Sequence, residues 1–372
     1  MKTPVNLFAN YGYAQADIDA KIDLAWHTIF EGSNEKRFYY DAGNDTGYMV
    51  DTGNMDARTE GMSYGMMMAL QMNRKDIFDR LWKWSKTHMF MTTGSQAGYF
   101  AWSCALDGKK NAYGAAPDGE EYYIMDLIFA SRRWGNGEGI FDYAAEARAL
   151  MKRCLHGQLP MWNTENAYIR FVPGCEFTDP SYHLPHFYEL YAEFSADEDT
   201  SFWKKAAEES RRFFSACCHP KTGFAAEYSF YDGRPNPYGP PEGHGYFFSD
   251  AYRVAATLGT DALWFGKTPG LSRIMAKMQS FFVDIPPNEY MTYEIDGTLV
   301  QQKALHPIGL LATLAQGSLA VWDDEDPETA ANAEAFVRRF WQTPLRTGER
   351  RYYDNCLYFF ALLALSGKYV AY

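Results

Sequence analysis

Three carboxylates stand at the openings of apolar, helix-forming stretches. Glu60 lies in Ala57-Arg58-Thr59-Glu60-Gly61-Met62-Ser63-Tyr64-Gly65-Met66, and Asp118 in Ala116-Pro117-Asp118-Gly119-Glu120-Glu121. Asp250 lies in Phe247-Phe248-Ser249-Asp250-Ala251-Tyr252-Arg253. Taken singly, each has a structural use. Asp118 with Glu121 three residues on reads as a capping box, and an acid in a first turn suits the positive end of the helix dipole. Taken together, they fit hydrolysis of a glycosidic bond. That reaction needs one protonated carboxyl to give its proton to the leaving oxygen, and one ionised carboxylate acting from the opposite side. A carboxyl at a helix N-terminus ionises readily, so an acid at Glu60 needs burial and a like-charged neighbour to keep its proton. Asp118 is the expected neighbour.

Other constellations carry less. His183-Leu184-Pro185-His186 with Glu189 has the look of a metal-binding face, but Pro185 interrupts it and the i+6 position swings off that face, so no metal is assigned. Met66-Met67-Met68 reads as core packing, and the acidic run Asp323 to Asp326 as a solvated loop before a helix. No G-x-S-x-G, P-loop or dinucleotide fingerprint occurs, which argues against serine hydrolases, NTPases and dehydrogenases. A sugar epimerase would want paired histidines, for which His183, His186, His244 and His306 are candidates. The three carboxylates fit hydrolysis better.

The elements that must position these residues are helices. Leu271, Ile274, Met275, Met278, Phe281 and Phe282 form an amphipathic stripe behind Pro269, as expected of a helix with a first-turn proline. Similar stripes occupy roughly 14–31, 75–88, 140–155, 201–216 and 328–341. Between them, segments near 60–72, 118–131, 181–194, 249–259, 306–319 and 352–366 are apolar nearly all round, with polar residues at their N-terminal ends. Helices apolar on every side must be buried. The alternation predicts an all-α fold, an (α/α)6 barrel of six inner and six outer helices over residues 1–372 with no domain boundary. Long loops at about 89–117, 156–179, 217–248 and 284–305 would gather at one end and build a cleft. All three carboxylates would face it.

The formal net charge of -12 argues against a nucleic-acid or anionic-membrane partner. No stretch approaches the ~20 apolar residues of a membrane span, and the N-terminus shows no signal-peptide pattern. The six cysteines lack CxxC spacing, so a reducing, cytoplasmic setting is expected. Aromatic residues make up 17% of the chain. That fits stacking on sugar rings, and equally a large aromatic core.

These segments, in this order, resemble glycoside hydrolase family 8, most closely its exo-oligoxylanases, over about Tyr11 to Tyr369. The most specific pieces are Thr59 to Met66, Asp179-Pro180-Ser181-Tyr182-His183-Leu184-Pro185 and Ser249 to Ala255. The resemblance implies an (α/α)6 barrel and an inverting mechanism without cofactor. It implies Glu60 as general acid and Asp250 as general base. Asp118 becomes the third carboxylate, holding the distorted sugar and keeping Glu60 protonated. Tyr182 would position the water and Trp102 would stack on a sugar, with Arg253, beside Asp250, taken as a further substrate contact. Leu305-His306-Pro307 resembles the loop that closes the cleft beyond the leaving group, with His306 touching the reducing-end hydroxyl. The expected substrate is a short xylo-oligosaccharide losing xylose from its reducing end. The alternatives are an endo-acting xylanase, β-glucanase or chitosanase of the same family.

Overall fold

Proline sets the start of several helices. It occupies the first turn of Pro117–Trp134, Pro185–Phe194, Pro269–Phe282, Pro307–Gly317 and Pro327–Gln342. There its missing N–H costs nothing and its fixed φ suits the helix. The structure is a computed structural model describing residues 5–238 and 244–372. Six inner helices, Thr59–Gln71, Pro117–Trp134, Pro185–Phe194, Arg253–Trp264, Pro307–Gly317 and Arg351–Leu365, pack each against the next, and the last closes the ring against the first. Each is backed by an outer helix: Gln15–Phe30, Lys75–Trp84, Tyr143–His156, Asp197–Cys217, Pro269–Phe282 and Pro327–Gln342. The expected (α/α)6 barrel is the observed fold.

The inner helices are apolar all round because they are enclosed all round. Every residue of Arg351–Leu365 is buried, as are Met66, Met67 and Met68. Close approach demands small residues. A Cβ on Gly259 would lie 2.2 Å from the Gln316 carbonyl oxygen, so a glycine lets two neighbouring inner helices touch backbone to backbone.

Several boundaries differ from the sequence reading. The segments expected to open as helices near 181 and 249 begin instead with short 3-10 turns, Pro180–Tyr182 and Ser249–Tyr252. The outer helix expected to 88 ends at Trp84 and continues as a π turn, Ser85–Met89. The run Asp323 to Asp326 does more than sit in solvent, since Asp326 accepts the Glu328 and Thr329 N–H groups and caps the following helix. Among the described residues, the loops carry three antiparallel strand pairs that periodicity missed. Tyr39–Gly43 pairs with Thr46–Met49, Ala57–Arg58 with Ser103–Cys104, and Met291–Tyr293 with Leu299–Lys303. The second pair ties the chain entering Glu60 to the chain bearing Trp102. The loop before Thr59 was not among those expected to build the cleft, yet it reaches the site.

Candidate active site

All six inner helices direct their N-terminal ends into one cleft of about 890 Å³. Glu60, Asp118 and Asp250 line it, together with Trp102, Tyr182 and His306. Six of the seven site residues expected from sequence therefore share one wall system, from segments spread over the chain. The seventh, Arg253, sits deeper.

Arg253 is the cation around which the carboxylates are arranged. Its Nη1 donates to Glu60 Oε2 at 3.0 Å, to Asp118 Oδ2 at 3.2 Å and to the Tyr64 hydroxyl at 3.0 Å. Its Nη2 lies 3.5 Å from Asp250 Oδ2 and 3.9 Å from Asp179 Oδ2, and its Nε donates to Ser181 Oγ. The side chain is only 7% exposed. So enclosed, the guanidinium holds carboxylates together, and Arg253 is not among the residues lining the large cleft. The anionic side chains above it are graded in exposure: Asp118 9%, Glu60 16% and Asp250 32%. Asp250 is the one most open to water.

Burial outweighs the helix dipole. It pushes Glu60 from 4.5 up to about 8, against the pull of Arg253 and with added push from Asp118 and Asp250. Burial also raises Asp118, from 3.8 to about 6, opposed by Arg253 and reinforced by Asp250. Asp118 is thus the neighbour that the sequence required of Glu60, with Asp250 beside it. The alternative capping role of Asp118 is not used in full. Its Oδ1 accepts only the Gly119 N–H, while Glu121 accepts the Tyr188 hydroxyl at 2.5 Å.

The supporting residues explain the geometry. Tyr352 donates to Glu60 Oε1 at 2.8 Å, and a Cβ on Gly61 would meet that hydroxyl at 2.6 Å, so Gly61 clears its path. Tyr353 donates to Asp250 Oδ1 at 3.1 Å. Asp179 accepts the Ser181 N–H and sets the turn that presents Tyr182. His306 is oriented by Asp354, whose Oδ2 meets His306 Nδ1 at 2.8 Å while Oδ1 accepts the Ile308 and Gly309 N–H groups. Trp102 is 38% exposed in the cleft, and the Arg58 guanidinium lies over its ring at 5.2 Å. Asp51 and Asp56 hold Arg58 in turn. Sequence reading missed Tyr352, Tyr353 and Asp354, although a polar opening before an apolar helix marked them as it marked Glu60.

Of the histidines in the metal and epimerase readings, His183, His244 and His306 are engaged by other side chains. His183 meets Ser210 with Nδ1 and Thr178 with Nε2, and Glu189 accepts from Arg211. Burial pushes both His183 and His186 down to about 3, so both are neutral. Among the described residues, no cluster of histidine, cysteine and carboxylate side chains has metal-holding geometry.

Known proteins place this chain. Residues 36–364 match the model of glycosyl hydrolases family 8. The chain belongs to glycosyl hydrolase family 8. It is 53% identical over 98% of its length to a reducing end xylose-releasing exo-oligoxylanase of Halalkalibacterium halodurans, covering 93% of that protein. It is 51% identical to one of Bifidobacterium adolescentis over 98% of this chain and 96% of the relative. The structure of Rex8A from Paenibacillus barcinonensis complexed with xylose superposes with a TM-score of 0.96 at 50% identity, over 100% of this chain and 98% of that one. The family 8 membership expected from the sequence is thereby established.

Proposed function

We propose that this family 8 hydrolase releases xylose from the reducing end of short xylo-oligosaccharides, with inversion at the anomeric carbon. The carrying observation is that Glu60 and Asp250 sit on opposite arms of one buried guanidinium, in a cleft whose wall includes Leu305 and His306. The names of the relatives described above supply the sugar.

Glu60 is the general acid. Arg253 occupies Oε2, so the proton resides on Oε1, the oxygen that Tyr352 also touches. When that proton passes to the glycosidic oxygen, the Arg253 and Tyr352 donors remain to stabilise the new carboxylate, a gain realised only as the bond breaks. Asp250, the most solvent-open of the three, takes a proton from water attacking the opposite face, and Tyr182 orients that water. A whole guanidinium lies between the two carboxylates, and inversion needs such room, ~6.5–9.5 Å between the groups. Asp118 faces the sugar between them, Trp102 stacks on a sugar ring, and His306 limits the leaving group to one xylose. Arg253 positions the carboxylates. All these roles belong to side chains of the one unit, residues 1–372, and none needs a metal or organic cofactor.

No helix among the described residues is long and apolar enough to cross a membrane, and the proposed setting is the cytoplasm, on oligomers small enough to be imported. The test is xylotriose labelled at its reducing end, followed over time. Labelled xylose plus unlabelled xylobiose is the expected result. Labelled xylobiose, or cleavage of cello- or chito-oligosaccharides instead, would refute the assigned end or sugar.

A further inference from the structure

The turn that carries Asp250 is held in an unfavourable shape. Ser249, a residue with a Cβ, has φ +36, and the turn Ser249–Tyr252 has no side-chain cap from its own N-cap residue, Phe248. Such backbone persists only where the surroundings over-determine it. One partner is remote in sequence: the Asp250 N–H donates to Glu227 Oε1 at 3.3 Å. Glu227 is 5% exposed and does not line the cleft. Its other oxygen, Oε2, meets His244 Nδ1 at 2.8 Å. The chain there is doubly tied, since Glu227 N–H donates to the Tyr246 carbonyl and Tyr228 N–H to the His244 carbonyl. The His244 imidazole stacks on Tyr228 with centroids 4.0 Å apart and planes 15° from parallel, and both rings face the cleft.

The two ends of Asp250 are therefore fixed by different groups. Tyr353 and Arg253 hold its carboxylate. Glu227 holds its backbone. We infer that Glu227, oriented by His244, is a positioning residue for Asp250, keeping the strained turn at the height from which the carboxylate reaches the attacking water. The inference rests on Asp250 being the general base.

A misplacement of about 1 Å at a reacting group costs roughly a hundredfold in rate. Measured on xylotriose with the whole enzyme, Glu227→Ala should lower kcat by about 10- to 100-fold with KM within about threefold of the parent. Glu227→Gln should recover kcat to within about fivefold, because its carbonyl still accepts the Asp250 N–H and its amide donates to the other tautomer of His244. His244→Phe, which keeps the stacking on Tyr228 but drops the bond, should fall about three- to tenfold in kcat. If Glu227→Ala does not fold, the Gln and Phe variants carry the test. A kcat unchanged in Glu227→Ala or His244→Phe overturns the proposal, as does a Glu227→Gln variant as slow as Glu227→Ala or a loss confined to KM. Asp250→Asn on the same substrate separates the two levels. Full activity there refutes the base assignment itself, whereas an inactive Asp250→Asn beside a fully active Glu227→Ala refutes only the positioning role.

Discussion

Glu60→Gln should make the protein slower and, at alkaline pH, more stable. In the unfolded chain the carboxyl releases its proton near 4.5, whereas burial, reinforced by Asp118 and Asp250 and opposed by Arg253, holds it to about 8 in the fold. Between those pH values the folded state binds more proton than the unfolded state, so stability falls as pH rises through the window and stays reduced above it. At about 1.4 kcal/mol per pH unit the loss is of the order of 3–5 kcal/mol. Glutamine carries no titrating proton and escapes it. Its carbonyl can accept from Arg253 while its amide donates to the Tyr352 hydroxyl, so packing is kept. For 372 residues the unfolding entropy is about 0.8 kcal/mol per degree, so the variant should melt roughly 4–6 °C above the parent at pH 9. At pH 5 the two should coincide. Calorimetric melting temperatures of both proteins from pH 5 to 9 provide the assay, with activity measured alongside. As the proposed acid, Glu60→Gln should lose about 10²- to 10⁴-fold on xylotriose and much less on a xylosyl fluoride, whose leaving group needs no proton. Melting curves that stay parallel across the whole pH range would refute the charge argument. Equal losses on both substrates would refute the acid.

Gly61→Ala should push the Tyr352 hydroxyl off Glu60 and cost about tenfold in kcat, with little change in melting temperature because alanine favours the helix by about 1 kcal/mol; a kcat equal to the parent's would show that Tyr352 is dispensable. Arg253→Met removes the cation from among buried carboxylates and should destabilise by about 3–5 kcal/mol at pH 8, and by less at pH 5, where the raised Glu60 and Asp118 are protonated; urea titrations at both pH values would expose a pH-independent loss as a contradiction. Gly259→Ala should force Arg253–Trp264 away from Pro307–Gly317 and cost about 1–3 kcal/mol in the same titration, unlike the gain expected of alanine at an open helical site. His306→Ala should admit longer leaving groups, read by chromatography as reducing-end products larger than xylose; an unchanged product pattern would remove the histidine from that role.

The barrel was legible because its signal is strong and redundant. Six segments apolar on every side admit few homes other than a helical ring, and the amphipathic partners between them define the outer layer. Glu60, Asp118 and Asp250 were legible for a related reason, since acids at the mouths of such helices must face one end. Arg253 was legible as a member of the site but not in its depth, because periodicity places a residue on an inner helix without fixing how far its long side chain reaches inward. The 3-10 turns at Pro180–Tyr182 and Ser249–Tyr252 were not legible. The second depends on a tertiary hydrogen bond, Glu227 accepting the Asp250 N–H, that no local window contains, whereas the first is capped locally by Asp179. Asp354 escaped as well, since a buried acid in an apolar helix declares its partner, His306, only once the two helices meet.

The bond between Tyr352 and Glu60 joins residues 292 positions apart. Glu60 therefore lacks its full setting until the last helical hairpin has been made and has docked against the first. During synthesis from the N-terminus, Glu60 meets Asp118 long before it meets Arg253, and Tyr352 last of all. A chain that stops short of residue 351 would carry all three carboxylates and the arginine, yet leave the ring open and its apolar inner faces wet. Return of activity on refolding is thus a report on ring closure, a strongly non-local contact. Secondary structure would recover first, and catalysis would lag behind it by the time the two ends of the chain need to find each other.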